Sequence, residues 1–274
     1  MKKLIIVVLI LSYGTVTAQR KPKIKGNRVV VEVREELPAF NAIELNDDLE
    51  ITLHKSADPG YVITADDNLI DVLKFKVADS TLMISSFYKI IAKKKLEITI
   101  NYRELESITM KEGKIGMEDI INTDKLYVTT FGTSRIQLNA NAEIMDITME
   151  ENSVGDFNLD SDSLNIAVKD KANADIYSVS EKNTVEMHKN TSVRLEGTTD
   201  SLQIRLDGNA NLKADRLEAA TIVARMEESV VARLYAFKNF ELSSSGSSKT
   251  HLFGNPKISI VEFLGTSVLF KKEE

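Results

Sequence analysis

The residues able to do chemistry in this 274-residue chain are few and scattered. The chain contains no cysteine and three histidines, His54, His188 and His251. Without cysteine it has no disulfide, no thiolate zinc ligand and no thiol nucleophile. The three histidines lie in different segments, and none has an accompanying serine and acid. We therefore predict no metal site, no cofactor and no catalytic group.

Charged residues recur at a step near 19 residues and form a first candidate surface row. This row contains Glu150, Lys169, His188 and Asp207. If the step places them on neighbouring strands, Glu150 faces Lys169 and His188 faces Asp207, and each pair stabilises the fold by about 0.2–1 kcal/mol. A sugar-cleaving site instead needs two carboxylates about 5–9 Å apart across a groove. The spacing favours a solvated ladder of paired charges that contacts a ligand at most weakly.

A second candidate row contains Asp156 and Asp175, followed by Arg194 and Lys213. Two stacked carboxylates suit a hard cation such as Ca²⁺. The calcium-binding repeat of β-roll proteins is absent from the chain, however. We keep Asp156 and Asp175 as surface contacts and predict no bound metal.

Apolar residues at a steady interval predict the fold that positions these rows. The steps between them are 19, 19, 19, 19, 20, 18 and 19 residues. Such regularity is typical of stacked units that contact only their neighbours, and the alternation of apolar and polar residues around each one indicates strands. The repeating residues are Val128, Ile147, Ile166, Val185, Ile204, Ala224, Leu242 and Val261.

We therefore predict an all-β, single-stranded parallel β-helix of about 19 residues per coil. Right-handed winding is expected, because crossovers between parallel strands nearly always take that hand. Six positions after each repeating residue the side chain is small or β-branched, as a tight corner requires. Four positions after it, half of the residues are glycine, which suits positive φ. Glu151, Lys189 and Glu228 at that position predict corners of another conformation.

The N-terminus predicts export. Lys2 and Lys3 precede an apolar run, and small residues follow up to Ala18, which is typical of a signal peptide over residues 1–18. We predict a cap strand or extension at 19–37, an irregular β region at 38–104 and coils at 105–274, with the last two forming one domain. The mature protein is expected in the periplasm, at the outer membrane or outside the cell, without a transmembrane span.

The last coil, from Ile258 to Phe270, is apolar on both faces. A strand buried on both sides has this composition, and an open sheet edge invites pairing. We expect the N-terminal segment near residues 29–33 to cover this coil. An interface between copies of the chain is the alternative.

Several segments resemble a bacterial family. They are FGTSRIQL at 131–138, DGNANLKA at 207–214, SGSSKTHL at 245–252, LGTSVLF at 264–270 and the longer stretch 40–85. The resemblance is to the family named putative auto-transporter adhesin, head GIN domain, a domain of unknown function. It implies an exported β-helical protein of Gram-negative bacteria. The chain departs from the pattern at Glu104, where Pro is usual, and at several corner glycines.

Together these features predict a non-enzymatic surface or envelope protein that is adhesin-like or structural. Its ligand is unknown, with a glycan or a surface protein as the expected classes. A polysaccharide-binding or polysaccharide-cleaving protein is the first alternative, although the absence of tryptophan weakens sugar stacking. A scaffold that assembles end to end is the second. The net charge of −6 argues against nucleic acid as a partner.

Overall fold

The computed structural model describes residues 21–272, so the predicted signal peptide lies outside the described residues. Within this range it contains 21 strands and one short helix, and no helix there has the length and apolar character needed to cross a membrane. The elements are β1 (Lys23–Lys25), β2 (Val30–Glu36), β3 (Ala42–Leu45), β4 (Glu50–Lys55), β5 (Gly60–Asp66), α1 (Asp67–Ile70), β6 (Leu73–Ala78), β7 (Thr81–Ser86), β8 (Lys89–Ala92), β9 (Leu96–Tyr102), β10 (Ser107–Met110), β11 (Lys114–Met117), β12 (Ile121–Thr130), β13 (Arg135–Met149), β14 (Val154–Val168), β15 (Asn173–Met187), β16 (Ser192–Leu206), β17 (Asn211–Met226), β18 (Val231–Ser244), β19 (Lys249–Phe253), β20 (Lys257–Phe263) and β21 (Val268–Lys271).

The predicted all-β solenoid with coils of about 19 residues is confirmed. From β10 onward every strand pairs in parallel with strands one coil away. One column of paired residues runs through nine successive coils and marks their stacking. Its members are Ile108, Val128, Ile147, Ile166, Val185, Ile204, Ala224, Leu242 and Ile260.

Burial of the inward rows supplies the core. Leu126, Val128, Leu138 and their counterparts in the coils up to β19 are almost fully buried. Each such leucine or isoleucine stabilises the fold by about 1.5–3 kcal/mol. Small residues fill the corners as predicted: Ser153 is buried, and its Oγ donates to the carbonyl of Glu150 at 2.9 Å. The core is therefore a narrow channel that side chains fill along the stacking axis.

The corner residues share one conformation, so the prediction of different corners at Glu151, Lys189 and Glu228 is wrong. These three have φ of 62°, 66° and 66°, close to the 62° of Gly132. The cause is the ladder between coils: at each corner the next backbone N–H donates to the carbonyl of the corner residue one coil earlier, as from Asn152 to Gly132 at 3.0 Å. Left-handed backbone costs a non-glycine residue about 1–2 kcal/mol, which the ladder outweighs.

The N-terminal region continues the stack before it turns irregular. Ile43 of β3 pairs with Ile108, and Ile51 of β4 pairs with Ile115, so β3 and β4 form a partial coil. β7 and β9 stack on them in parallel. β6 then pairs antiparallel with β7, β5 with β9, and β2 with β5. These antiparallel strands close this end of the solenoid.

The last coil is not covered by the N-terminal segment, and that expectation is wrong. Residues 30–36 form β2, which pairs with β5 at the opposite end of the stack. β20 pairs only with β18, and β21 only with β19, within residues 21–272. β5 pairs with β9 along one edge, and its other edge is the one that β2 occupies.

The register of the last coil also differs from the sequence repeat. Ile260, and not Val261, lies opposite Leu242, because the pairing shifts by one residue before Glu262. Such a bulge leaves one residue unpaired and turns its side chain out of the row. Val261 is accordingly 63% exposed.

The shared corner conformation makes a prediction about Glu228. Replacing it with glycine removes a strained left-handed residue and should stabilise the protein by about 1 kcal/mol, after subtraction of the extra flexibility of glycine in the unfolded chain. Gly246→Ala should do the reverse, because its Cβ would lie 2.6 Å from the carbonyl oxygen of Glu228. Urea denaturation measures both. Loss of stability in Glu228→Gly would contradict the account.

Candidate functional site

The first predicted row comes together as two pairs. Lys169 Nζ lies 2.7 Å from Glu150 Oε1, and His188 Nδ1 lies 2.6 Å from Asp207 Oδ2. Each pair joins the corners of neighbouring coils. All four side chains keep between about a quarter and half of their surface exposed, so the row presents paired charge to solvent.

The second row places its two acids on neighbouring strands. Asp156 and Asp175 lie directly opposite one another on β14 and β15. Arg194 Nη1 lies 3.4 Å from Asp175 Oδ1, so the basic half of the row partly neutralises the acidic half. No group of three or more metal-capable side chains converges here or elsewhere within residues 21–272.

The three histidines lie apart. His54 Nδ1 is 3.0 Å from Asp119 Oδ2 at the N-terminal end, and His188 lies at a mid-solenoid corner. His251 stacks on Phe270 with ring centroids 4.8 Å apart. Burial lowers the pKa of His251, and Lys272 lowers it further. The structure assembles no shared histidine site in the described chain.

Ion pairs between coils recur along the solenoid. Lys189 Nζ lies 2.5 Å from Asp170 Oδ1, and its hydrogen bond lowers the pKa of that carboxyl. Arg233 donates from Nε and Nη2 to Asp215 Oδ2 at 3.1 and 2.8 Å, and this contact lowers the pKa of Asp215. Stacking of one coil on the next thus places opposite charges side by side.

A row of five acidic residues departs from this pattern along its whole length, and we call it the acidic column. Each member lies at a corner between two paired residues, as Asp162 lies between Ser161 and Ser163. All five members are exposed, and none forms an ion pair or a side-chain hydrogen bond within residues 21–272. The column contains Asp124, Glu143, Asp162, Glu181 and Asp200.

A groove of about 380 Å³ lies along this column, and we call it the acidic groove. It holds five carboxylates, four hydroxyl-bearing residues and two exposed apolar side chains. Its lining residues are Asp160, Ser161, Asp162, Val179, Ser180, Glu181, Thr198, Thr199, Asp200, Glu218 and Phe237. Sequence reasoning missed this site, although the 19-residue step from Asp124 to Asp200 was a usable signal.

The last coil forms a second unusual surface, the apolar end. Ile258, Ile260 and Phe263 lie above the buried row of the preceding coil, yet each is 40–46% exposed. Val261 and Leu264 add apolar surface on the outside. In β21 a charged residue, Lys271, occupies an inner position opposite buried Leu252. The inner positions of β20 are all apolar.

Comparison with known proteins identifies a family and a fold. The sequence profile described as "Putative auto-transporter adhesin, head GIN domain" matches residues 39–177 and 146–256. No curated protein matches the chain.

Three solved structures have the same fold. A "putative adhesin" from Parabacteroides distasonis aligns with a TM-score of 0.67 and 15% identity over 91% of this chain and 100% of its own. A "putative lipid binding protein" from the same organism gives 0.65 and 18% over 91% and 99%. A "putative adhesin" from Parabacteroides merdae gives 0.61 and 16% over 92% and 99%. At such identities the likeness shows the fold alone.

The Asp215–Arg233 pair predicts a pH effect on stability. Because the folded pKa of Asp215 is lowered, its contribution is complete above the ordinary value of 3.8 and is lost as the pH falls through the folded value. Asp215→Asn should cost about 0.2–1 kcal/mol at neutral pH and nearly nothing in strong acid. Urea denaturation at both pH values tests this. Glu227→Gln, which removes an exposed charge without an ion pair among residues 21–272, is the control and should show no such convergence.

Proposed function

The chain belongs to the family described as putative auto-transporter adhesin, head GIN domain, and from this membership we propose that it works outside the cytoplasm as a non-enzymatic, adhesin-like rod. The observation that carries the proposal is the parallel ladder that joins the coils from β10 to β21. Nine coils at a strand spacing of about 4.8 Å make a stiff body about 40 Å long with a large lateral surface. Such a shape suits binding along its side.

The placement of the carboxylates supports binding over catalysis. A glycosidase keeps one carboxylic acid protonated by burying it, opposite a second carboxylate. The carboxylates of the acidic groove, such as Asp162 and Glu181, are all exposed. The groove therefore suits a bound ligand better than a proton donor, and polysaccharide cleavage is the less favoured alternative.

The partner that we propose is a glycan or a protein of a cell surface. The row of Glu150, Lys169, His188 and Asp207 offers neighbouring donors and acceptors at fixed spacing, which is how a solenoid contacts an extended ligand. Asp156 and Asp175 add acceptors on an adjacent strand face. The predicted signal peptide supports the proposal that the mature protein works in the periplasm, at the outer membrane or outside the cell.

A glycan array combined with a reducing-sugar assay tests this function. We expect retention of at least one glycan class without release of reducing ends. Reversal of Glu150 and Asp207 to lysine should weaken retention about tenfold, because it replaces two acceptors with donors. Glu36→Lys with Glu241→Lys gives the same change in net charge at exposed positions outside this row and should bind as the wild type does. Sugar release that disappears in Asp162→Asn would establish the cleaving alternative instead.

The apolar end favours a second function, assembly of two copies end to end. β20 ends the ladder, so its outer backbone N–H and C=O groups have no strand partner in the described chain. The hydrocarbon of a lipid membrane cannot form hydrogen bonds with these backbone groups, whereas a strand of a second copy can. Lys257 begins β20 and Glu262 lies near its end, so an antiparallel pair brings the positively charged end of one β20 to the negatively charged end of the other. This charge complementarity favours a symmetric pair of rods.

Sedimentation across a concentration series tests the assembly. The wild type should form dimers, and Ile260→Lys should weaken them at least tenfold by placing a charge in the joined core. Val223→Lys changes a similarly exposed residue in the middle of the rod and should leave the dimer intact. A wild type that stays monomeric at high concentration rules the pair out. If that monomer also binds vesicles through Ile260, the apolar end contacts lipid.

A further inference from the structure

The outer face of the solenoid near its C-terminal end gathers basic and aromatic side chains, and we call it the cationic face. Lys213, Arg233 and His251 lie opposite one another on β17, β18 and β19, and Phe270 of β21 lies opposite His251. These four side chains form one outward column, because they alternate with inward-facing neighbours along their strands. The remaining members of the face, on β19 and directly after β21, are Lys249, Phe253 and Lys272.

Aromatic rings support the cations of this face. His251 stacks on Phe270 with an angle of 12° between the ring planes. The Arg233 guanidinium lies 5.2 Å from the centroid of the Phe253 ring, and Lys272 Nζ lies 5.4 Å from that of Phe270. Such contacts hold a cation against a ring without neutralising its charge. The sequence scatters these aromatic residues, and the ladder between coils brings them together.

The cationic face carries an excess of positive charge on a chain whose net charge is −6. Arg233 is partly neutralised, because it forms an ion pair with Asp215 at 2.8 Å. Lys213, Lys249 and Lys272, by contrast, form no ion pair within residues 21–272. Three ammonium groups on this face are therefore available to an anion.

His251 senses this positive potential. Burial lowers its pKa, and the positive charges of Lys272, Arg233 and Lys249 lower it further. Its Nδ1 is buried and has no hydrogen-bond partner in the described chain, so no internal acceptor at this atom stabilises the protonated ring. An anion bound to the face would offset the neighbouring charges and raise the pKa of His251.

The spacing of the free lysines suits a polymer better than a small anion. Lys213 and Lys249 lie two coils apart, about 10 Å along the rod, and Lys272 lies one coil further. A single small anion cannot pair with all three, whereas a chain with repeated negative charges can. Phe270, which is 39% exposed, and half-buried Phe253 add flat apolar surfaces that suit the C–H faces of sugars.

We propose that the cationic face binds an acidic polysaccharide along the rod axis. Its carboxylate or sulfate groups pair with Lys213, Lys249 and Lys272, and its sugar rings contact Phe253 and Phe270. The choice of a glycan rests on the proposed role outside the cytoplasm. The inference adds to that role a chemical class of glycan and a face other than the row of Glu150.

Calorimetric titration with oligosaccharides of alginate, of chondroitin sulfate and of neutral dextran tests the proposal. At least one acidic oligosaccharide should bind tenfold or more tightly than dextran, with an affinity that falls as salt is added. Replacement of Lys213, Lys249 and Lys272 by glutamine should weaken this binding at least tenfold. The control variant Lys125→Gln, Lys171→Gln, Lys182→Gln removes the same charge from exposed lysines without ion pairs in the described chain and should bind as the wild type does.

Proton NMR titration of the three histidines provides a second readout that diffuse binding would not move in the same way. The bound acidic oligosaccharide should raise the pKa of His251 and leave the pKa values of His54 and His188 unchanged, because those two histidines lie on other parts of the rod. Phe270→Leu should weaken binding about threefold to tenfold, since it keeps an apolar side chain but removes the ring.

Three results would overturn the inference. They are equal weakening in the control variant, an unchanged pKa of His251 in the saturated protein, and binding of polyglutamate or single-stranded DNA as tight as that of the acidic oligosaccharides, which would show selection of charge alone. Binding of dextran without either acidic oligosaccharide would also overturn it, but would leave the adhesive role standing.

Discussion

The hydrogen-bond ladder between coils is the constraint on which the rest of this protein depends. Each parallel strand donates to and accepts from the strands one coil away, and the ladder continues through the corners, where Lys171 donates to the carbonyl of Glu151 at 2.8 Å. Because the ladder fixes the backbone, it holds even charged residues such as Glu151 and Lys189 in left-handed conformation. Without cysteine, this pairing and the buried rows are what hold the fold together.

The same ladder decides what the surface can display. Every outward row brings equivalent positions of neighbouring coils about 4.8 Å apart, so the sequence at a 19-residue step becomes a line of adjacent side chains. Where the charge alternates along the step, as at Glu150 and Lys169, neighbouring side chains form ion pairs that neutralise the row and hold its side chains in place. Where the same charge repeats, as at Asp162 and Glu181, the row carries negative charge on every coil. The surface that such a rod offers to a ligand therefore consists of rows of equivalent side chains from successive coils.

The two ends of the stack differ for a related reason. At the N-terminal end, antiparallel strands such as β2 and β6 interrupt the parallel winding and close the core. At the C-terminal end the coils simply stop, and Ile258 and Ile260 face solvent from core positions. Parallel pairing between coils can continue indefinitely, so each end of the stack needs additional residues to cover its last coil. In the described chain only the N-terminal end has such residues.

The sequence alone determined the period, the strand type and the buried rows, because a 19-residue repeat with alternate apolar residues has few other packed solutions. Small corner residues such as Ser134 and Ser153 were predicted on the same steric ground and are buried. Tertiary structure decided what depends on pairing. It gave Glu228 a left-handed backbone, because the ladder overrides local preference, and it shifted the last row from Val261 to Ile260 through a bulge. It also placed β2 at the N-terminal end of the stack and turned the five side chains of the acidic column outward. Contacts between residues distant in sequence decide which strand edge β2 pairs with and which way a corner faces.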